Sequence, residues 1–225
     1  MSSRVPEVIV FDVNETLSDM APLAVRFADV GAPPALAKLW FAALLRDGFA
    51  RTAAGESERF AVLAESGLHV VLHGIELNRP VNAAVAHILD GFAGLSLHPD
   101  VPDGVRALRA RGLRLVTMSN GAAAVAEKLL GDAGLRGEFE HVLSVEDAGV
   151  WKPAPGSYGY VAEVCGVEPA DLLMVAVHSW DLDGAARAGL RTAWIDRTGA
   201  PYPGWCRAPD HVVPGLDRLA GALGR

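Results

Sequence analysis

The sequence predicts an α/β protein: a doubly wound, Rossmann-like parallel sheet with a helical cap inserted after its first strand. Three observations carry this. Five short apolar runs lack polar alternation, as strands covered on both faces do. Helix-like stretches separate the last four of them. The segment from 17 to 98 contains no convincing strand and several helical patterns. At 225 residues the chain exceeds the roughly 150 of an average domain, which suits a core carrying an insertion.

In chain order, the expected strands are 7–12 (EVIVFD), 113–118 (LRLVTM), 141–144 (HVLS), 172–177 (LLMVAV) and 191–195 (RTAWI). Helices are expected at 101–111, 122–133, 155–165 and 182–188. Within the insertion they are expected at 22–30, 34–47, 56–64 and 81–92. In the second of these Leu36, Leu39, Trp40, Ala43 and Leu44 recur at helical spacing and predict an apolar stripe. The expected domains are a core of 1–16 and 99–225 and a cap of 17–98. No internal repeat or low-complexity segment interrupts them.

Composition narrows the function classes. The chain is 51% hydrophobic and 21% charged, with a net charge of −7 and no long basic run. That excludes a disordered chain and argues against a nucleic-acid or anionic-membrane partner. No apolar stretch reaches the roughly 20 residues of a membrane span. Cys165 and Cys206 lack the spacing of a redox pair or metal finger. The N-terminus runs directly into the first strand, leaving no room for a signal peptide. A cytoplasmic protein with two free thiols is expected. His69 and His73 are four residues apart, but without a helical acidic partner they predict no metal site.

Ligands of open α/β sheets bind outside the carboxyl ends of the strands, and here those ends are polar. The first leads into Asp12-Val13-Asn14-Glu15-Thr16, and the second into Ser119-Asn120-Gly121 before a helix whose first amides favour an anion. The third leads to Trp151-Lys152-Pro153, and the fourth to His178-Ser179-Trp180-Asp181-Leu182-Asp183-Gly184. Only three of the 20 basic residues are lysines. One of them is Lys152, and an ammonium is not interchangeable with a guanidinium.

Taken in order, with a helical insertion after the first, these four motifs resemble the haloacid dehalogenase superfamily over nearly the whole chain. The resemblance implies that Asp12 is the nucleophile and that Thr16 and Ser119 bind the reacting group or orient Asp12. It further implies that Lys152 neutralises the site and that Asp181 positions Lys152 and water. The first strand would lie between those of the second and fourth motifs.

Within the superfamily the residues favour a dehalogenase over a magnesium-dependent phosphatase. A phosphatase needs an acid two residues after its nucleophile to protonate the leaving oxygen, and Asn14 stands there. It also needs carboxylates for a hard cation, but Ala176-Val177 replaces the usual Gly-Asp and leaves Asp181 and at most Asp183. A halide departs without a proton, so an ionised, desolvated carboxylate suffices.

The run from Lys152 to Tyr158 resembles that of type II (L-2-) haloacid dehalogenases, and no cofactor is implied. A short 2-haloacid is the expected substrate, with Asn14, Phe41, Arg46, Ser119, Asn120 and Tyr158 around it. Two departures stand out. Phe41 follows Leu39-Trp40 where the resemblance implies a halide-receiving arginine. Ala176 and His178 replace a serine and an asparagine. Arg46, Arg51 or His178 is expected to take over. A homodimer is expected by family analogy. The alternatives are a magnesium-dependent phosphohydrolase and a non-catalytic binding protein on the same fold.

Overall fold

The structure is a computed structural model that describes residues 5–224. Residues 1–4 and 225 of the expected core lie outside the described residues. β1 (Val8–Phe11) is followed by α1 (Leu23–Asp29), α2 (Leu36–Ala53), α3 (Phe60–Val71) and α4 (Val81–Ala93). Then come α5 (Val101–Ala110), β2 (Arg114–Ser119), α6 (Ala123–Asp132), β3 (His141–Ser144), α7 (Val145–Ala148) and α8 (Pro155–Cys165). The chain closes with β4 (Leu172–Ala176), α9 (Ser179–Arg187), β5 (Arg191–Ile195), β6 (His211–Val213) and α10 (Leu219–Ala222).

The six strands form one parallel sheet in the order β3-β2-β1-β4-β5-β6. β1 is central because its four residues are all apolar and all buried. Val8 and Val10 pack on one face with α8 and α9, and Ile9 and Phe11 pack on the other with α5 and α10. This alternation is the period-2 geometry of a strand buried on both sides. The sheet order reverses at β1, so its carboxyl end lies at the switch point between β2 and β4.

The core beneath α8 and α9 continues without a break into the inserted helices through Trp40, Phe41, Leu44, Phe60, Ile88 and Phe92. In α2 the buried stripe is Ala37, Trp40, Phe41, Leu44, Leu45 and Gly48. It is rotated by about one residue from the expected one, and Leu39 is 57% exposed. The rotation turns Phe41 inward and sets Gly48 against Trp151. A Cβ at 48 would lie 2.3 Å from the indole ring, so only glycine lets α2 approach there. Trp151 is tied down further by Nε1 donating to the Glu58 carbonyl at 2.9 Å.

Several boundaries differ from expectation. α2 runs on to Ala53, and α3 spans Phe60–Val71 rather than 56–64. α3 continues through Ser66 and Gly67, because Gly67 lies against Trp40 (3.5 Å from its Cβ position). β4 stops at Ala176, since the Val177 amide donates to the Thr16 hydroxyl at 3.1 Å. β6 and α7, which the sequence does not predict, have three and four residues.

Candidate active site

Asp12 follows β1 directly, its amide donating to the Val175 carbonyl of β4 at 3.1 Å. The side chain thus emerges at the sheet's carboxyl edge, buried on all sides. Its Oδ1 accepts from Lys152 Nζ at 2.9 Å. Its Oδ2 accepts from Thr16 Oγ1 at 2.6 Å and meets His178 Nδ1 at 3.1 Å. Lys152, also fully buried, donates a second bond to Asp181 Oδ2 at 2.6 Å.

Asp181 sits in the first turn of α9 and is held from the other side by Tyr158. The phenol donates to Asp181 Oδ1 at 2.7 Å and reaches its carbonyl at 2.9 Å. Tyr158, expected to bind substrate, instead has its hydroxyl engaged by Asp181 and positions that residue. Gly184 makes this possible: a Cβ there would lie 2.7 Å from the Tyr158 hydroxyl and 2.6 Å from Pro153 Cβ. A Gly184→Ala variant is expected to lose about 1–3 kcal/mol of stability and to weaken activity by loosening Asp181, measured by thermal unfolding alongside turnover.

The charges of this cluster are mutually set. Burial alone raises the Asp12 pKa, but Lys152, then His178 and Thr16, hold it well below the usual carboxylate range. Burial lowers Lys152, yet the two carboxylates outweigh it and keep the amine protonated. Asp181 is pushed up by burial against the pull of Lys152, with the Asp12 charge adding to the rise. Asp12 is thus held ionised in spite of its burial.

Ser119 ends β2, and its Oγ accepts from the Gly121 amide at 2.9 Å. Asn120 has its side chain on the Lys152 backbone instead of facing a substrate. Its Oδ1 accepts from the Lys152 amide at 2.9 Å and its Nδ2 donates to the carbonyl at 3.3 Å. This clamp fixes where Lys152 starts its reach. Asn14 is buried, with Nδ2 3.4 Å from the Cβ position of Gly121, across from the Ser119 turn.

Arg46 does not join the cluster. Its side chain is 71% exposed and bonds Asp47, while Arg51 pairs with Glu56 at the surface. For Arg46 the reason is the register of α2: the face carrying Trp40, Phe41 and Leu44 points inward, so position 46 turns outward. Phe41 is buried, its ring centroid 6.5 Å from that of His178. Asp183 is likewise occupied, bonded by Arg187 at 2.7 Å and by the Arg207 amide at 2.9 Å. Among the described residues no group of three or more His, Cys, Asp or Glu side chains is placed to hold a metal ion.

Two residues of the site escape sequence reasoning. Glu15 meets His178 Nε2 at 2.8 Å through Oε2, and its backbone is left-handed at φ 63°. Phe60, the first residue of α3, lies over the Ser119 turn, its Cδ2 4.0 Å from the Cβ position of Gly121. It stacks on Phe92 and Trp151. Beside His178 opens a cavity of about 820 Å³, lined among others by Glu15, Lys38, Phe41, His178, Trp194 and Arg197.

The family model for haloacid dehalogenase-like hydrolases matches residues 6–189, which contain Asp12, Ser119, Lys152 and Asp181. The chain belongs to this family. Among curated members it is 29% identical over 215 residues to haloacetate dehalogenase H-2 of Moraxella sp. (strain B), covering 95% of this chain and 96% of that one. It is 30% identical to the (S)-2-haloacid dehalogenase 4A of Burkholderia cepacia, covering 93% and 91%. The structure superposes with a TM-score of 0.86 on the L-2-haloacid dehalogenase of Xanthobacter autotrophicus with chloropropionic acid covalently bound. That member is 28% identical, with 96% and 97% of the chains covered.

Proposed function

We propose that this family member is a 2-haloacid dehalogenase working through an ester on Asp12, as the covalent chloropropionic acid complex of its relative suggests. The observation that carries the reading is the buried Asp12–Lys152–Asp181 row, with Lys152 bonded at 2.9 and 2.6 Å. It keeps a desolvated carboxylate ionised and fixed in direction, which is what displacement at carbon needs.

Asp12 Oδ1 carries a single hydrogen bond, whereas Oδ2 is held by Thr16 and His178. Oδ1 attacks the α-carbon from the side opposite the halide, forming a C–O bond as the halide leaves with the C–X electron pair. The backbone amides after Ser119 hold the substrate carboxylate at the entry to α6. The halide departs on the face of carbon away from Asp12. His178, which touches Asp12 itself, is therefore on the wrong side to receive it. The receiving wall is apolar, built from Phe60 and its stacked partners with Phe41, whose ring edges carry partial positive charge.

Hydrolysis of the ester in heavy-oxygen water at single turnover is expected to place the label first in the Asp12 carboxylate. Label entering the 2-hydroxy acid directly would refute the ester. We carry a cytoplasmic location and a homodimer in the same proposal. Cys165 and Cys206 are both free, and the inserted helices expose Val25, Leu39 and Val70. Light scattering of the purified chain reads the second.

A further inference from the structure

We propose that Arg197 is a positioning residue that sets the direction of the Asp12 carboxylate by holding Thr16 through its backbone. This inference rests on the dehalogenase reading, in which Asp12 attacks, and adds to it a residue outside the four strand-end motifs.

The turn that follows Asp12 has little support of its own. The Val13 carbonyl accepts from the Leu17 and Ser18 amides at 2.9 and 3.0 Å. Between them Glu15 is left-handed at φ 63°, a conformation that residues other than glycine enter at a cost. Yet Thr16, the next residue, has to be placed accurately. Its Oγ1 donates to Asp12 Oδ2 at 2.6 Å and accepts from the Val177 amide at 3.1 Å. A hydroxyl has one proton, and here Asp12 takes it. The Val177 carbonyl accepts from Trp194 Nε1 at 3.0 Å, so the hydroxyl is braced from β4 and β5.

The carbonyl of Thr16 is braced by Arg197, which stands just beyond β5. Its Nη2 donates to that carbonyl at 2.9 Å, and its Nη1 donates to Asp100 Oδ1 at 2.7 Å. Asp100 is anchored in turn, with Oδ2 accepting from the Leu216 amide at 2.6 Å. The start of the arginine side chain is fixed as well. The Asp196 amide donates to the Val213 carbonyl at 2.8 Å, and Asp196 Oδ1 accepts from the Thr198 and Gly199 amides at 3.3 and 2.8 Å. A planar guanidinium holds its two acceptors in a fixed relation. Thr16 lies just before the chain leaves for the inserted helices, and Asp100 just after it returns. Arg197 therefore ties the nucleophile's turn to the sheet where the insertion departs.

Two features set this apart from an ion pair present only for stability. The Arg197 Nε is buried and makes no hydrogen bond, a cost that such a pair need not carry. And one of its two bonds goes to the residue whose hydroxyl fixes Asp12 Oδ2. Displacement at carbon needs Oδ1 on one line with the α-carbon and the halide. Rotation of the carboxylate is set by what holds Oδ2, so a shift of Thr16 takes Oδ1 off that line while Lys152 still supplies the charge.

The test compares Arg197→Ala, Thr16→Val and the double variant with 2-bromopropionate, reading bromide release in a single turnover, KM and the melting temperature. Arg197→Ala is expected to slow release by about ten- to a hundredfold, since a misplacement of about 1 Å can cost on the order of a hundredfold. KM stays within about twofold, as for an interaction that acts on the transition state. In the Thr16→Val background Arg197→Ala adds less than about threefold, because no hydroxyl is left to aim. Should Arg197→Ala fail to fold, Arg197→Lys decides. Its single ammonium is drawn to Asp100 and leaves the Thr16 carbonyl, so the same slowing is expected. A lowered melting temperature with wild-type release in these variants would overturn the positioning role alone, as would a raised KM at an unchanged rate. Effects that multiply fully in the double variant would do the same. A wild-type protein that releases no bromide would overturn the dehalogenase reading and the positioning role with it.

Discussion

A Lys152→Met variant is expected to release no halide and to melt on the order of 10 °C below the parent protein. Lys152 is fully buried and its ammonium is shared between Asp12 and Asp181. Methionine fills the same volume but supplies no charge, leaving two carboxylates facing each other out of water. Breaking a buried pair in this way costs roughly 3–5 kcal/mol, and in a chain of this size each kcal/mol shifts the melting point by about 2–4 °C. Part of the cost is relieved when Asp181, already pushed up by burial, takes up a proton, but Asp12 loses the cation that fixes Oδ1, so activity falls by about a thousandfold or more at neutral pH. Lys152→Arg is not expected to rescue it. Both acceptors converge on one nitrogen, a geometry a wide planar guanidinium does not reproduce. Halide release and thermal unfolding of the two variants check this; a Lys152→Met protein with wild-type turnover would exclude the proposed role of the Asp12–Lys152 pair.

The central part of this site is legible in sequence because it obeys a simple rule: polar residues at the ends of wholly apolar strands, at the switch point of a parallel sheet. Asp12, Ser119, Lys152 and Asp181 are read that way, and so are the strands behind them. What escapes depends on side-chain direction. Tyr158 and Asn120 sit at the expected positions but turn toward Asp181 and the Lys152 backbone, a choice set by Gly184 and by the turn after β2. Glu15 escapes because what sets it apart is a backbone angle. Arg46 and Leu39 are misplaced by one cause. Helical spacing in α2 defines two overlapping apolar stripes, and the contact between Gly48 and Trp151 selects the one that turns both outward. β6 has only three residues, with Val212 exposed. It forms because β5 offers an unpaired edge, a tertiary condition that local pattern does not report.

An Asp12→Asn variant is expected to lose all turnover while remaining far more stable than Lys152→Met. Asparagine keeps the shape and an oxygen for the Thr16 hydroxyl but lacks the charge that displaces a halide. Lys152 keeps Asp181 at 2.6 Å, so no buried charge is orphaned. The pH dependence of stability separates the two contributions that Asp12 makes. Its own pKa is depressed on folding, so the stability it confers is present above its unfolded value and is lost as the pH falls toward the folded one. His178 behaves oppositely. Its folded pKa is raised from 6.5 to about 9, so its contribution is complete below 6.5 and disappears as the pH rises through 9. That contribution is on the order of 3 kcal/mol and is shared with Asp12. Removing the Asp12 charge leaves Glu15 as the only carboxylate on the ring and draws the His178 pKa back down. Melting curves from pH 6 to 10 should therefore fall steeply for the wild-type protein and more gently for Asp12→Asn, with the two converging at the alkaline end. Parallel curves would mean that His178 takes its proton from surroundings other than Asp12.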